Sequence, residues 1–174
     1  MKNYYAGIGS RETPKDFQTL FTAVAKYLEA KGFTLRSGHA QGADYAFESG
    51  TKNCESYVPW YGFNGSKSQL LPSPKSFEIA EKYHPNWSCL KQGGQKLMAR
   101  NVHQVLGLDL KTPSLFIICW THNGSGSGGT GQALRIAKDY KIPIFDCGRY
   151  SSAVEAFPHL KKFVNSFINK ENIK

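Results

Sequence analysis

Tyr4-Tyr5-Ala6-Gly7-Ile8-Gly9-Ser10-Arg11-Glu12-Thr13-Pro14 is an apolar run that gives way to glycines, a turn and a helical pattern. Pro14 suits a first helical turn, and Phe17, Leu20, Phe21, Val24 and Leu28 follow at helical spacing until Gly32 stops them. The same order occurs twice more. Phe33-Thr34-Leu35 leads into Ser37-Gly38-His39-Ala40-Gln41-Gly42-Ala43-Asp44. Leu115-Phe116-Ile117-Ile118-Cys119-Trp120 leads into Gly124-Ser125-Gly126-Ser127-Gly128-Gly129-Thr130-Gly131. Three strand–glycine loop–helix units predict a parallel sheet with one crevice at the carboxyl ends of its strands.

Working outward, strands are expected at 4–8, 33–36, 56–59, 114–120 and 142–146. Helices are expected after Pro14 and at 41–48, 77–83, 92–106 and 129–140, with residues 60–75 as a loop. Val154, Phe157, Leu160, Phe163, Val164 and Phe167 mark a last amphipathic helix, whose phenylalanines are expected in the core. The expected fold class is α/β: a doubly wound, mostly parallel sheet of about five or more strands, with residues 1–174 as a single domain.

Composition narrows the function. A chain of 174 residues, 40% hydrophobic and 20% charged, can bury its own core. No apolar run nears the ~20 residues of a membrane span, and the N-terminus lacks a signal-peptide pattern, so a cytoplasmic protein with no membrane partner is expected. Cys54, Cys89, Cys119 and Cys147 form no close pair and are expected as thiols, the last two buried. His39, His84, His103, His122 and His159 show no metal spacing, so neither a metal nor a cofactor is expected. The net charge of +9 and the pI near 9.4 suit an anionic partner, nucleic acid or nucleotide, although the densest lysines (Lys161, Lys162, Lys170, Lys174) sit on the last helix or tail.

The glycine loops suggest which anion. Glycine lets backbone approach a ligand, and a following helix offers unpaired N–H groups with a partial positive charge. Gly7, Gly9, Ser10, Ser37, Gly38, Gly42, Ala43, Gly128, Gly129 and Thr130 are therefore candidate contacts for phosphate or ribose. Arg11 can clamp a phosphate, or pair with Glu12. Asp44 can accept ribose hydroxyls, or favour its own helix N-terminus. Arg100 and Asn101 are polar within an otherwise apolar helix: either ligand residues or a structural pair. Trp120 and Thr121, like Trp60 and Tyr61, end strands, where a ring can cover a base or simply pack. Spacing assembles no Ser–His–Asp or Cys–His set.

Gly7-Ile8-Gly9-Ser10-Arg11, Ser37-Gly38 with Gly42-Ala43-Asp44, Met98-Ala99-Arg100-Asn101, Cys119-Trp120-Thr121 and Gly128-Gly129-Thr130-Gly131-Gln132-Ala133 resemble the SLOG superfamily of Rossmann-like domains. More closely, they resemble the small DprA-like proteins of bacteriophages. The resemblance implies a Rossmann-like fold, places the Arg100 segment beside the pocket, and implies a homo-oligomer, dimer or higher. It implies three kinds of activity: binding of an ADP-ribose-derived or cyclic-nucleotide signal, single-stranded DNA binding, and phosphoribohydrolase chemistry. The phosphoribohydrolase pattern G-G-x-G-T-x-x-E ends in a catalytic glutamate, whereas here Gln132 and Arg135 hold the last two defined positions. Arginine stays cationic and cannot replace that carboxylate. The expectation is thus a non-catalytic binder of a nucleotide-derived small molecule, of use to a phage in sequestering a host immune signal. Single-stranded DNA binding and N-glycosidase activity by Glu12, Asp44 or Glu48 are the alternatives.

Overall fold

A computed structural model describes residues 3–171, with side chains through residue 168. Lys174 and the side chain of Lys170 lie outside the described residues. Five strands form one parallel sheet in the order β3-β2-β1-β4-β5. They are β1 (Asn3–Gly9), β2 (Phe33–Ser37), β3 (Cys54–Ser56), β4 (Ile117–Trp120) and β5 (Ile144–Asp146). Six α-helices connect and cover them: α1 (Lys15–Ala30), α2 (Ala43–Glu48), α3 (Pro74–Lys82), α4 (Gln92–Leu106), α5 (Gly128–Asp139) and α6 (Ala153–Glu171). This is the expected Rossmann-like α/β arrangement.

The period of two along the strands divides the core. Tyr5, Ile118 and Trp120 face α1, α2 and α6, while Ala6, Ile8, Ile117 and Cys119 face α3, α4 and α5. Both faces are covered, which is why these strands read as continuous apolar runs. Phe116 anchors the first face, with Tyr5 at 5.7 Å, Phe163 at 5.7 Å and Phe167 at 4.4 Å between ring centroids. Burying one such ring contributes about 1.5–3 kcal/mol.

Two sequence expectations shift. The third strand is Cys54–Ser56, because those residues pair with Leu35, Arg36 and Ser37; the apolar Tyr57 and Val58 instead continue toward Leu70. The phenylalanine stripe of α6 is split: Phe163 and Phe167 reach Phe116, but Phe157 is 50% and Val154 85% exposed, since they lie off the buried side of the helix. Cys119 and Cys147 are buried free thiols, as expected.

Right-handed crossovers send the chain from β1 through α1 to one side and from β4 through α5 to the other. The loops leaving β1 and β4 therefore diverge and leave a crevice between neighbouring strands.

Candidate functional site

The crevice has a volume of about 420 Å³ and lies where the loops after β1 and β4 part. Gly9, Ser10, Arg11, Asp44, Arg100, Asn101, Thr121, Gly128, Gly129 and Thr130 line it, ten of the candidate residues. Gly7, Ser37, Gly38, Gly42, Ala43 and Trp120 stand behind it.

Close packing explains the residues behind the wall. A Cβ on Gly7 would lie 2.6 Å from Phe47, and Ser37 Oγ donates to the Gly7 carbonyl at 2.7 Å. A Cβ on Gly42 would lie 2.6 Å from the Ser10 carbonyl, and Ala43 N–H donates to that carbonyl at 3.3 Å. Gly38 carries its carbonyl against the Arg100 guanidinium. The second glycine loop thus buttresses the first loop and Arg100. Trp120 turns to the opposite face of the sheet and packs in the core, 6.5 Å from Phe17, so its ring does not reach the crevice.

The first loop turns on Ser10. Its N–H donates to the Trp120 carbonyl at 3.1 Å, and its hydroxyl accepts the Glu12 N–H at 3.0 Å, which leaves the hydroxyl proton to be donated. Arg11 is exposed at the rim. The third loop rests on Asp146, a buried carboxylate that the sequence reading passed over. Asp146 accepts the Thr121 N–H at 3.0 Å and the Gly148 N–H at 2.9 Å, and also the Thr121 hydroxyl. Thr121 Oγ1 in turn accepts the Gly126 N–H at 2.9 Å. Thr121 therefore shapes the loop with its side chain. Gly128, Gly129 and Thr130 then open α5 at the crevice, and no side chain caps this helix N-terminus. Asn101 ties α4 to this end of α5 through the Gly129 carbonyl at 3.1 Å and Gln132 Oε1 at 3.3 Å.

Two buried arginines differ in a way that bears on function. Arg36, 2% exposed, is fully engaged: Nε meets Glu55 at 3.0 Å, Nη1 the Thr112 carbonyl at 2.6 Å, and Tyr4 stacks 3.8 Å from the guanidinium. Arg100, 5% exposed, uses Nη1 on the carbonyls of Gly38 and Tyr57 but leaves Nε without a partner, and it lines the crevice. Burial works against its charge, the Asp44 and Glu48 carboxylates favour it, and Arg11 opposes it. Asp44 is 3% exposed, and burial pushes its carboxyl up to about 7 against the pull of Arg100. At neutral pH the crevice thus holds the guanidinium groups of Arg11 and Arg100, an open helix N-terminus, the Glu12 carboxylate at the rim and an Asp44 carboxyl that is only partly ionised. Such a site attracts an anion.

Some lining residues were missed. Leu97, Met98 and Gln104 share a face of α4 with Arg100 and Asn101, so extending the helical spacing from Arg100 finds them. Ala40, His122 and Ser127 come from the loops, where no periodicity guides the eye. Arg135 lies outside the crevice; its Nε donates to the Tyr83 carbonyl at 2.7 Å. The position compared with a catalytic glutamate thus stands away from the site in this fold. Among the described residues, no three His, Cys, Asp or Glu side chains are grouped to hold a metal, and no helix is long and apolar enough to cross a membrane.

Comparison with protein-family models and with curated proteins finds no match. Among solved structures the chain is similar to DNA processing protein A from Helicobacter pylori, a protein described for its single-stranded DNA binding mode. The TM-score is 0.58 at 19% identity, covering 97% of this chain and 79% of that one. At that identity the likeness concerns the fold, which is Rossmann-like in the manner of DNA processing protein A.

Proposed function

We propose that the protein binds a phosphorylated, nucleotide-derived small molecule of the adenosine class in the crevice between β1 and β4. One observation carries this reading: Arg100, a guanidinium 95% removed from solvent with its buried Nε unpartnered, lines the crevice together with the uncapped N-terminus of α5. An unmade hydrogen bond from a buried charge costs at least about 1–3 kcal/mol, and an anion in the crevice offsets part of that cost by favouring the guanidinium charge. The volume of about 420 Å³ falls in the small-ligand range. In this reading the N–H groups of α5, the Ser10 hydroxyl, Arg11 and Arg100 hold phosphate, and Asp44 meets a ribose hydroxyl. The ligand is held and not hydrolysed, which suits sequestration of an ADP-ribose-derived or cyclic-nucleotide signal by an oligomeric phage protein, as the resemblance implies.

Single-stranded DNA is the second reading. The +9 charge and the fold likeness to a protein with a single-stranded DNA binding mode favour it. Salt separates the two, because phosphate-backbone binding releases counterions and weakens steeply with salt, whereas a charge in a crevice is less screened. The test is calorimetric titration at two salt concentrations with AMP, ADP-ribose, cyclic dinucleotides and a short single-stranded DNA. The expected result is salt-tolerant binding of a small nucleotide, weakened roughly ten- to hundredfold in Arg11→Ala, the loss of about 1.5–3 kcal/mol of charged hydrogen bonding. Binding of DNA alone with a steep salt slope overturns the main reading in favour of the second. Release of free base from AMP or ADP-ribose overturns the non-catalytic part.

A further inference from the structure

A nucleotide site needs a surface for the base, and the fold removes the ring that sequence placed there: Trp120 is turned into the core. Another pair of rings is open. Trp60 is 39% and Tyr61 67% exposed, on the loop after β3, at the same carboxyl end of the sheet as the crevice. Trp60 is the most exposed of the three tryptophans.

This loop is fastened to the site. Asn64 donates to the His39 carbonyl at 3.0 Å, and the Tyr45 hydroxyl donates to the Asn64 carbonyl at 3.1 Å, so the loop is tied to the second glycine loop and to α2. Phe63 connects the rings to the crevice. It meets Trp60 edge-to-face at 5.3 Å, takes the Arg100 guanidinium over its face at 5.7 Å, and packs with Ala40 and Leu97, both of which line the crevice. Trp60 also lies against the first turn of α4, where a Cβ on Gly93 would be 3.8 Å from its ring. From Gly93 to Arg100 the helix rises about 10 Å.

We propose that Trp60, with Tyr61 beside it, is the base subsite of the crevice, so that the ligand is a nucleotide whose phosphate sits at Arg100 and whose base stacks on Trp60. The inference rests on the nucleotide-binding reading above and adds to it. Stacking reads the area of a ring and not its hydrogen-bonding edge, so this subsite accepts AMP and GMP alike and any preference for adenosine arises elsewhere in the crevice. A free nucleotide and an unpaired base within a single strand offer the same ring.

The experiment compares AMP, GMP, ribose 5-phosphate and an oligothymidylate by calorimetry and tryptophan fluorescence, in the wild type and in Trp60→Ala, Trp60→Phe and Tyr61→Ala. AMP is expected to bind roughly five- to hundredfold tighter than ribose 5-phosphate and to quench the fluorescence. Trp60→Ala removes that advantage and leaves ribose 5-phosphate binding unchanged, while Trp60→Phe, which keeps a ring, retains most of it. Quenching by oligothymidylate that is lost in Trp60→Ala supports the subsite too, and its salt slope tells a strand from a free nucleotide. If ribose 5-phosphate binds as well as AMP, or if the advantage of AMP survives Trp60→Ala, the subsite is overturned and the phosphate crevice stands. If no probe binds, both fall together.

Discussion

The second and third glycine loops look alike in sequence but differ at Gly42 and Gly128, one filled by protein and one open. In the second, Gly38 and Gly42 admit protein: the Arg100 guanidinium at one, the carbonyls of Ser10 and Arg11 at the other. In the third, Gly124 and Gly131 are filled too, by Arg149 and by the Gly126 carbonyl, but a Cβ on Gly128 would meet nothing within 4 Å, and Gly128, Gly129 and Thr130 open α5 at the crevice without a side-chain cap. Glycine marks a place where backbone comes close to something. Whether that something is the protein or a ligand depends on what the rest of the fold brings there.

The largest expected effect tests the filled glycine. Gly42 has φ +84°, and its missing Cβ would overlap the Ser10 carbonyl. Gly42→Ala combines backbone strain of about 1–2 kcal/mol with overpacking of about 1–3 kcal/mol. A loss of about 4 kcal/mol in chemical denaturation is expected; a loss under about 1 kcal/mol would break the comparison.

Next comes Asp44, at the end of the same loop. Its carboxyl titrates near 7 when folded and near 4 when unfolded, so its contribution to stability is greatest below pH 4 and is lost as pH rises from 4 to 7. Asp44→Asn escapes that loss. About 3 pH units, in which the attraction of Arg100 is already counted, set a ceiling of about 4 kcal/mol on the gain at pH 8. Denaturation across pH 4 to 8 is expected to show the gain shrinking toward low pH. A gain that ignores pH would mean the carboxyl is ionised throughout. Binding adds a second reading of the same group. A phosphodiester keeps its charge over this range, so its affinity is expected to rise as pH falls through 7, and the rise to vanish in Asp44→Asn.

The smallest effect belongs to the open glycine. Gly128 has φ +69° with free space around its Cβ position, so Gly128→Ala carries the backbone cost alone, about 1 kcal/mol. The contrast with Gly42→Ala sharpens the distinction between the two glycines. A loss as large as that of Gly42→Ala would show that Gly128, too, is packed against protein.

Periodicity made much of this legible. Phe17, Phe21, Val24 and Leu28 gave α1, and the 92–106 spacing gave α4 to the residue, because a helix face repeats along the chain whatever lies opposite. The third strand slid to Cys54–Ser56 because an edge strand is defined by the hydrogen bonds of its neighbour, here Leu35 to Ser37, and not by its own apolarity. Trp120 ends β4 and Trp60 follows the apolar run at 56–59, so in sequence the two read alike as candidate base platforms. Strand alternation, counted from the pairing of β1 with β4, sends Trp120 to the face of α1 and α6.

The sequence by itself determined the α/β class, the serial strand–loop–helix units and the glycine positions, since these depend on residue spacing and backbone freedom. Tertiary structure alone decided which glycines are filled by protein and which stand open. It also decided that Arg36 is satisfied while Arg100 keeps a free donor, and that Trp60 remains exposed. The reason is physical: partners for a carbonyl, a guanidinium or a ring come from segments tens of residues away, and only the folded sheet sets the distances between them.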